Sequence, residues 1–208
     1  MINSVTIVCV LCDQYNEAMQ QRIDSVQLSL EASGLAGTVS VIDNSARPNR
    51  IPRHQRRKYT WNQGYNITMG GAINQAVAMA DTEAVAYVCE RHTTINDHSW
   101  LRDMIEAIES PDVGMSGSVQ PCHFCCVAQN ANDIIEPQIH VQGGVWAARR
   151  ETFSRFGFSY RWPQTFADVD ISRRMLASGL SLANVPSVSC VGGGTIDRPG
   201  RFKIVHDY

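Results

Sequence analysis

Residues 5 to 11 read Val-Thr-Ile-Val-Cys-Val-Leu, an almost unbroken apolar stretch dominated by β-branched side chains. A half-solvated strand alternates polar and apolar residues. This one does not, so it belongs inside a parallel sheet covered on both faces. Parallel neighbours need crossover connections, and the following residues supply one. Residues 17 to 33 place Met19, Ile23, Val26 and Leu30 at helical spacing and stop at Ser33-Gly34, a C-terminal signal. Val39 to Ile42 is a second strand closing on Asp43-Asn44-Ser45.

A long polar segment follows, then a helix over Thr68 to Ala80 and a third strand over Ala84 to Cys89. Trp100 to Ile108 reads as helix and Val113 to Val119 as strand. Strands alternating with helices predict an α/β sheet with crossovers, whose ligands bind beyond the C-terminal strand ends. In the second half, Gln138 to Trp146 predicts one or two short strands around Gly143-Gly144. Arg150 to Phe156 predicts a short helix, and Asp168 to Ser178 a longer one ending at Gly179. Leu182 to Val185 and Ser187 to Val191 read as short strands about Pro186, and the chain has no internal repeat.

With 208 residues, 44% of them hydrophobic, the chain can bury the core of one domain spanning 1–208. No run of about eighteen apolar residues is present, so no membrane insertion is expected. The N-terminus enters a strand pattern without the features of a signal peptide. Seven cysteines, an odd number scattered through apolar segments, point to reduced thiols and a cytoplasmic setting. Cys122 and Cys125 have the spacing of half a zinc site. No second half accompanies them, since Cys9 and Cys12 lie on the first strand facing opposite sides.

The net charge of −2 hides an uneven distribution. Arg47, Arg50, Arg53, Arg56, Arg57 and Lys58 lie in one stretch with His54 and no acid, followed by Tyr59 and Trp61. Cations beside aromatic faces suit phosphate contacts with base or sugar stacking. A solvated loop is the plainer reading of such a charge run, and a clamp on a small diphosphate is the third. Asp168, in Phe166-Ala167-Asp168-Val169-Asp170, stands at a helix start. There it is either a catalytic base at the mouth of the sheet or a charge favoured by the helix dipole. Asp170, two residues on, is read as a structural charge.

Taken in order, these motifs resemble a family-2 glycosyltransferase with the GT-A fold over nearly the whole chain. Tyr15-Asn16 follows the first strand as the family's Tyr-Asn does, and Val41-Ile42-Asp43-Asn44-Ser45 is similar to its acidic turn. Asn62-Gln63-Gly64 and Gly70-Gly71-Ala72-Ile73-Asn74 resemble its Asn-x-Gly and the helix that follows. Gly143-Gly144 through Phe153 resembles the acceptor-side segment, and Ala167-Asp168 its Glu-Asp pair. The resemblance implies a Rossmann-type, mixed and mostly parallel sheet flanked by helices. It also implies a nucleotide-sugar-binding half over about 1–120 and an acceptor and catalytic-base half over about 121–208.

The implied activity is an inverting transfer of a sugar from a nucleoside-diphosphate sugar to an acceptor hydroxyl, with Asp168 as general base. Donor contacts would come from Tyr15, Asn16, Asp43, Asn62, Gly64, Glu90 and Arg91. For Asp43, an Asx-type turn is the equal alternative. Arg53, Arg56, Arg57, Trp61, Gly143 and Gly144 would meet acceptor or phosphates.

Two departures bear on the metal. Where the family has its acidic metal motif, this chain has Glu90-Arg91-His92; where it has a His before its last Gly-rich turn, this chain has Cys190. Glu90 and His92, with His206 from the tail, would suit Mn²⁺ better than Mg²⁺. A metal-independent site would use Arg91 or the basic loop to neutralise the departing diphosphate. A basic loop at the active-site edge also resembles viral glycosyltransferases acting on hydroxymethylated pyrimidines in DNA, which would place the protein in the host cytoplasm. The alternatives are a nucleotidyltransferase and a non-catalytic sugar-nucleotide or nucleic-acid binding module. The former is disfavoured because Asp13-Gln14-Tyr15-Asn16 replaces a Gly-rich phosphate loop with a Lys.

Overall fold

The computed structural model describes residues 1–12, 15–56, 59–63, 67–89, 98–122, 138–160 and 167–185. The opening apolar run is β1 (Ser4–Leu11), in which every residue after Ser4 is buried. Helix α1 (Glu17–Ser33) crosses to β2 (Ala36–Asp43). Asn16 starts the helix by accepting from the Met19 N–H at 2.9 Å, and Gly34 ends it in the left-handed region at φ 69°. These caps satisfy backbone groups that the helix itself leaves unpaired.

The long polar segment contains two short elements absent from the expectation, α2 (Arg53–Arg56) and β3 (Thr60–Gln63). At four residues, β3 is too short for a periodic signal. It is set by its partner instead, pairing Ser40↔Thr60 through Asp43↔Gln63. Then come α3 (Met69–Met79), β4 (Ala84–Val88), α4 (Trp100–Ala107) and β5 (Val113–Cys122). The segment expected as one or two short strands is a single twelve-residue strand, β6 (Gln138–Arg149). It is followed by α5 (Arg150–Phe156), α6 (Ala167–Ala177) and β7 (Ser181–Asn184). The strand expected over Ser187 to Val191 lies outside the described residues.

The sheet order is β3-β2-β1-β4-β6-β5-β7. Only β6 runs antiparallel to its neighbours, so the sheet is mixed and mostly parallel. Helices α1 and α4 pack on one another, and α3, α5 and α6 form a second group. Burial of successive β1 residues on both faces requires a layer on each side. Beneath the second group, Trp146 stacks on Phe153 at 4.9 Å and meets Phe158 edge-on at 5.8 Å, fixing β6 against α5. Among the described residues, no helix is long and apolar enough to cross a membrane.

At the start of β1, the Glu83 carboxylate accepts from the Asn3 N–H at 2.7 Å and the Ser4 N–H at 3.1 Å. The Asn3 bond, more than the Ser4 contacts, holds its carboxyl below the usual glutamate range. A carboxyl with a lowered folded-state pKa adds stability above its unfolded pKa, and this is lost as pH falls through the folded value. Urea midpoints of Glu83→Gln should therefore trail wild type at neutral pH and converge with it in acid. A gap that widened in acid would contradict this assignment.

Candidate active site

Registers Leu11↔Asp43 and Asp43↔Gln63 bring the C-terminal ends of β1, β2 and β3 level. There the turn Asp43-Asn44-Ser45 is buried, each residue at 5% exposure. Asp43 Oδ1 accepts from the Ser45 hydroxyl and from Asn49 Nδ2 at 3.0 Å, while Oδ2 accepts from the Asn49 N–H at 2.6 Å. Asn49 Oδ1 in turn accepts from the Tyr15 N–H at 2.7 Å. One carboxylate thus ties the basic loop to the chain leaving β1. Asn44 makes a two-point amide contact with the Ile67 backbone, at 2.7 and 3.1 Å, and so places the entry to α3. The Asx-type alternative for Asp43 is realised, and any nucleobase would share a carboxylate already hydrogen-bonded.

Above this knot lies an aromatic wall. Tyr15 meets Trp61 edge-on at 5.9 Å, and Tyr59 meets it at 6.4 Å. The Trp61 indole N–H donates to the Gln55 carbonyl at 2.9 Å, pinning α2. Burial, and secondarily the nearby Asp24 carboxylate, raise the Tyr15 phenol's pKa, so it stays a neutral donor to Gln20. Arg47, Arg50, Arg53 and His54 project from this anchored loop as exposed side chains. Among the described residues none of the four is in an ion pair.

Not every sequence candidate converges here. The Asn16 side chain is engaged as the α1 cap. Asn62 lines a groove of about 430 Å³ with Thr6, Ser40, Met79 and Thr82, extending to the start of β4 at the opposite sheet edge. The side chain of Arg56, and the residues Arg57, Gly64, Glu90, Arg91, His92, Cys125, Cys190 and His206, lie outside what is described. The Cys122–Cys125 zinc expectation falls there too. Among the described residues, no group of three or more His, Cys, Asp or Glu could hold a metal ion.

Asp168 is placed by an irregularity in the sheet. The β5–β6 ladder jumps from Val119↔Val141 to Gly117↔Trp146, leaving residues 142–145 of β6 opposite Ser118 alone. Broken ladders of this kind strand backbone donors and re-aim side chains, often beside active sites. Here α6 takes up two backbone donors of β6, one within the break and one beside it. The Gly143 N–H donates to Asp168 Oδ2 at 2.9 Å and the Val141 N–H to Ser172 Oγ at 3.2 Å. Asp168 Oδ1 accepts from its own helix, the Val169 N–H, at 2.9 Å. The Cys89 N–H donates to the Gly144 carbonyl at 2.7 Å, so this carboxylate sits at the C-terminal edge of β4. Its side chain is 25% exposed, enough to meet a ligand.

Flanking residues fix the approach. Arg174 pairs with Asp170 at 2.9 Å and donates to the Phe156 and Gly157 carbonyls, joining α5 to α6. This is the structural role expected of Asp170. Asn74 makes a two-point contact with the Phe158 backbone at 2.8 and 2.9 Å. A Cβ on Gly70 would lie 2.8 Å from that of Phe158, which accounts for the glycine at that point of α3. Sequence reading passed over two residues at this edge. Asn49 sat inside a stretch read only for its charges. His140, buried with Nε2 3.8 Å from Asp168 Oδ2, was hidden within an apolar strand.

Comparison with protein-family models gave no match, and comparison with curated proteins gave none either. Solved structures do share the fold. The mannosyltransferase PcManGT from Pyrobaculum calidifontis, in complex with GDP-Man and Mn²⁺, aligns with TM-score 0.65 at 18% identity, over 94% of this chain and 58% of its own. Glucosyl-3-phosphoglycerate synthase from Mycobacterium tuberculosis, in complex with Mn²⁺, UDP and glucosyl-3-phosphoglycerate, aligns with TM-score 0.57 at 13% identity, over 88% of this chain and 70% of its own. A CMP:2-keto-3-deoxy-manno-octonic acid synthetase complexed with CTP aligns with TM-score 0.52 at 11% identity, over 88% and 89%. At such identities the likeness establishes the fold alone, which is α/β and GT-A-like. The chain spans little more than half the length of the mannosyltransferase.

A Cβ added at Gly143 would lie 3.0 Å from Asp168 Oδ2 and 3.4 Å from its Cβ. Gly143→Ala should therefore lower unfolding free energy by about 1–3 kcal/mol, the usual range for forced overpacking. Urea denaturation reads this directly, and an unchanged midpoint would show that the carboxylate does not press against that backbone.

Proposed function

We propose that this protein is an inverting glycosyltransferase that uses a nucleoside-diphosphate sugar. The observation that carries the reading is the Asp168 carboxylate, held at the C-terminal sheet edge by the Gly143 N–H and still partly open to solvent. In sheets of this kind ligands bind along that edge. Three strand spacings, about 14 Å, separate β2, which ends at Asp43, from β6, whose Gly143 N–H holds Asp168. A nucleoside diphosphate laid along the strand ends fits between them, base toward Tyr15 and Asp43, sugar toward Asp168.

In this reading the acceptor oxygen attacks the anomeric carbon from the face opposite the diphosphate. Its proton passes to Asp168, the anomeric C–O bond to phosphate breaks, and the nucleoside diphosphate leaves with the electron pair. The glycosyltransferase neighbours cited were solved with Mn²⁺. Here Glu90 and His92, with His206, would hold such a cation, which would offset charge on the leaving diphosphate. Arg91 would serve the same end without one. Tyr15, Asn16, Asn62 and Gly64 would complete the donor side. Of these, Asn16 would contribute beside its capping role, and the groove location of Asn62 weakens its part.

The exposed cations of the basic loop support an anionic acceptor, and DNA is the acceptor we propose. Arg53, Arg56, Arg57 and Trp61 would meet its backbone and bases, with Gly143 and Gly144 forming the floor at the reacting hydroxyl. A second reading, nucleotidyl transfer, is favoured by one observation: the synthetase crystallised with CTP matches this chain almost end to end.

Incubation with a panel of nucleoside-diphosphate sugars, scored for thermal stabilisation and transfer, separates these readings. Asp168→Asn should lower transfer about 100- to 10,000-fold, as expected for loss of a general base, while leaving donor-induced stabilisation intact. Full activity in that variant would refute the base assignment. Replacing Arg53, Arg56 and Arg57 together with Ala should weaken DNA binding at low salt and flatten its salt dependence. Unchanged binding would remove DNA as the acceptor.

A further inference from the structure

His140 lies on β6 three residues before Gly143, and its side chain is 7% exposed. Its Nε2 stands 3.8 Å from Asp168 Oδ2, while its Nδ1 is buried with no hydrogen-bond partner among the described residues. A buried histidine with one orphaned nitrogen needs an explanation, because interior polar atoms are nearly always paired. Placing the proton on Nδ1 would bury an unsatisfied N–H and turn the Nε2 lone pair toward a carboxylate, which is unfavourable twice over. A doubly protonated ring would bury the same orphaned donor. The neutral Nε2–H tautomer leaves only a bare acceptor inside and directs its N–H at Asp168 Oδ2.

We infer that His140 is a positioning residue for Asp168, and that together with the Gly143 amide it determines which carboxylate oxygen takes up the acceptor's proton. This rests on Asp168 being the base. Oδ2 faces two N–H donors, Gly143 at hydrogen-bond distance and His140 at 3.8 Å, whereas among the described residues Oδ1 receives only the Val169 N–H. In a protonated carboxyl, the oxygen facing more donors becomes the carbonyl oxygen and the other carries the hydrogen. Oδ1 is therefore the oxygen that accepts the proton. A shift of about 1 Å would bring His140 into direct hydrogen-bond range.

Two measurements test this. Long-range ¹⁵N–¹H spectra of the wild-type protein should show His140 as the Nε2–H tautomer, with its ring signals displaced in Asp168→Asn. An Nδ1–H tautomer, or signals indifferent to Asp168, would overturn the inference without any need for turnover. In kinetics, His140→Leu keeps bulk and removes the donor, while His140→Gln returns an N–H near the Nε2 position. His140→Leu should lower kcat about tenfold or more with donor KM unchanged, the scale of one hydrogen bond to a charged group. His140→Gln should recover most of the loss. If His140→Leu is the better variant, the ring serves packing alone and the inference fails. A wild-type protein with the expected tautomer but no transfer from any donor would instead refute the proposed function.

Discussion

The hydrogen bond from the Gly143 amide to Asp168 Oδ2 is the contact on which the site depends. It exists because the β5–β6 ladder breaks at that point and strands a backbone donor that α6 then satisfies. The match is geometric as well as chemical. Asp168 and Ser172 are one helical turn apart, about 6 Å of rise. Val141 and Gly143 are two strand residues apart, about 6.8 Å. The helix can therefore lie along the strand with both contacts made at once. A side chain at position 143 would close the gap. Regular pairing between β5 and β6 would take the donor away.

The other end of the edge is built by the same logic from different residues. Asp43, Asn44 and Ser45 use short polar side chains to take up backbone groups of loops that leave the sheet, so those loops begin from fixed points. Asp43 anchors the basic loop through Asn49, and Asn49 reaches across to the chain after β1. The cations are therefore carried on an anchored support. Their charge is free for a partner because none of Arg47, Arg50 and Arg53 is spent in an ion pair among the described residues.

How far the sequence was legible follows from which interactions are local. Burial patterns and caps are local, so β1, α1 with its Gly34 stop, α3, α5 and α6 could be read within a residue or two. Strand β3 was missed because its four residues are ordered by β2 rather than by their own pattern. The length of β6 was missed because Gly143-Gly144 reads as a break, whereas β4 and β5 pair with it on either side of the irregularity. At the site, Asp168 stood out by its place in an ordered set of motifs. Its holder, Gly143, and its neighbour, His140, did not, because contacts between residues 25 and 28 positions apart leave no trace in spacing. Asn16 and Asp43 show the reverse case: residues read for chemistry whose observed contacts are structural.

In the proposed reaction a single carboxylate deprotonates an acceptor hydroxyl, which displaces the diphosphate directly. Such a displacement inverts the anomeric centre, whereas a route through a glycosyl-enzyme intermediate retains it. Once a donor is identified, ¹H NMR of the freshly formed product gives the anomeric configuration from its coupling to the neighbouring ring proton. Direct displacement gives a linkage opposite in configuration to that of the donor. A product retaining the donor's configuration would contradict it.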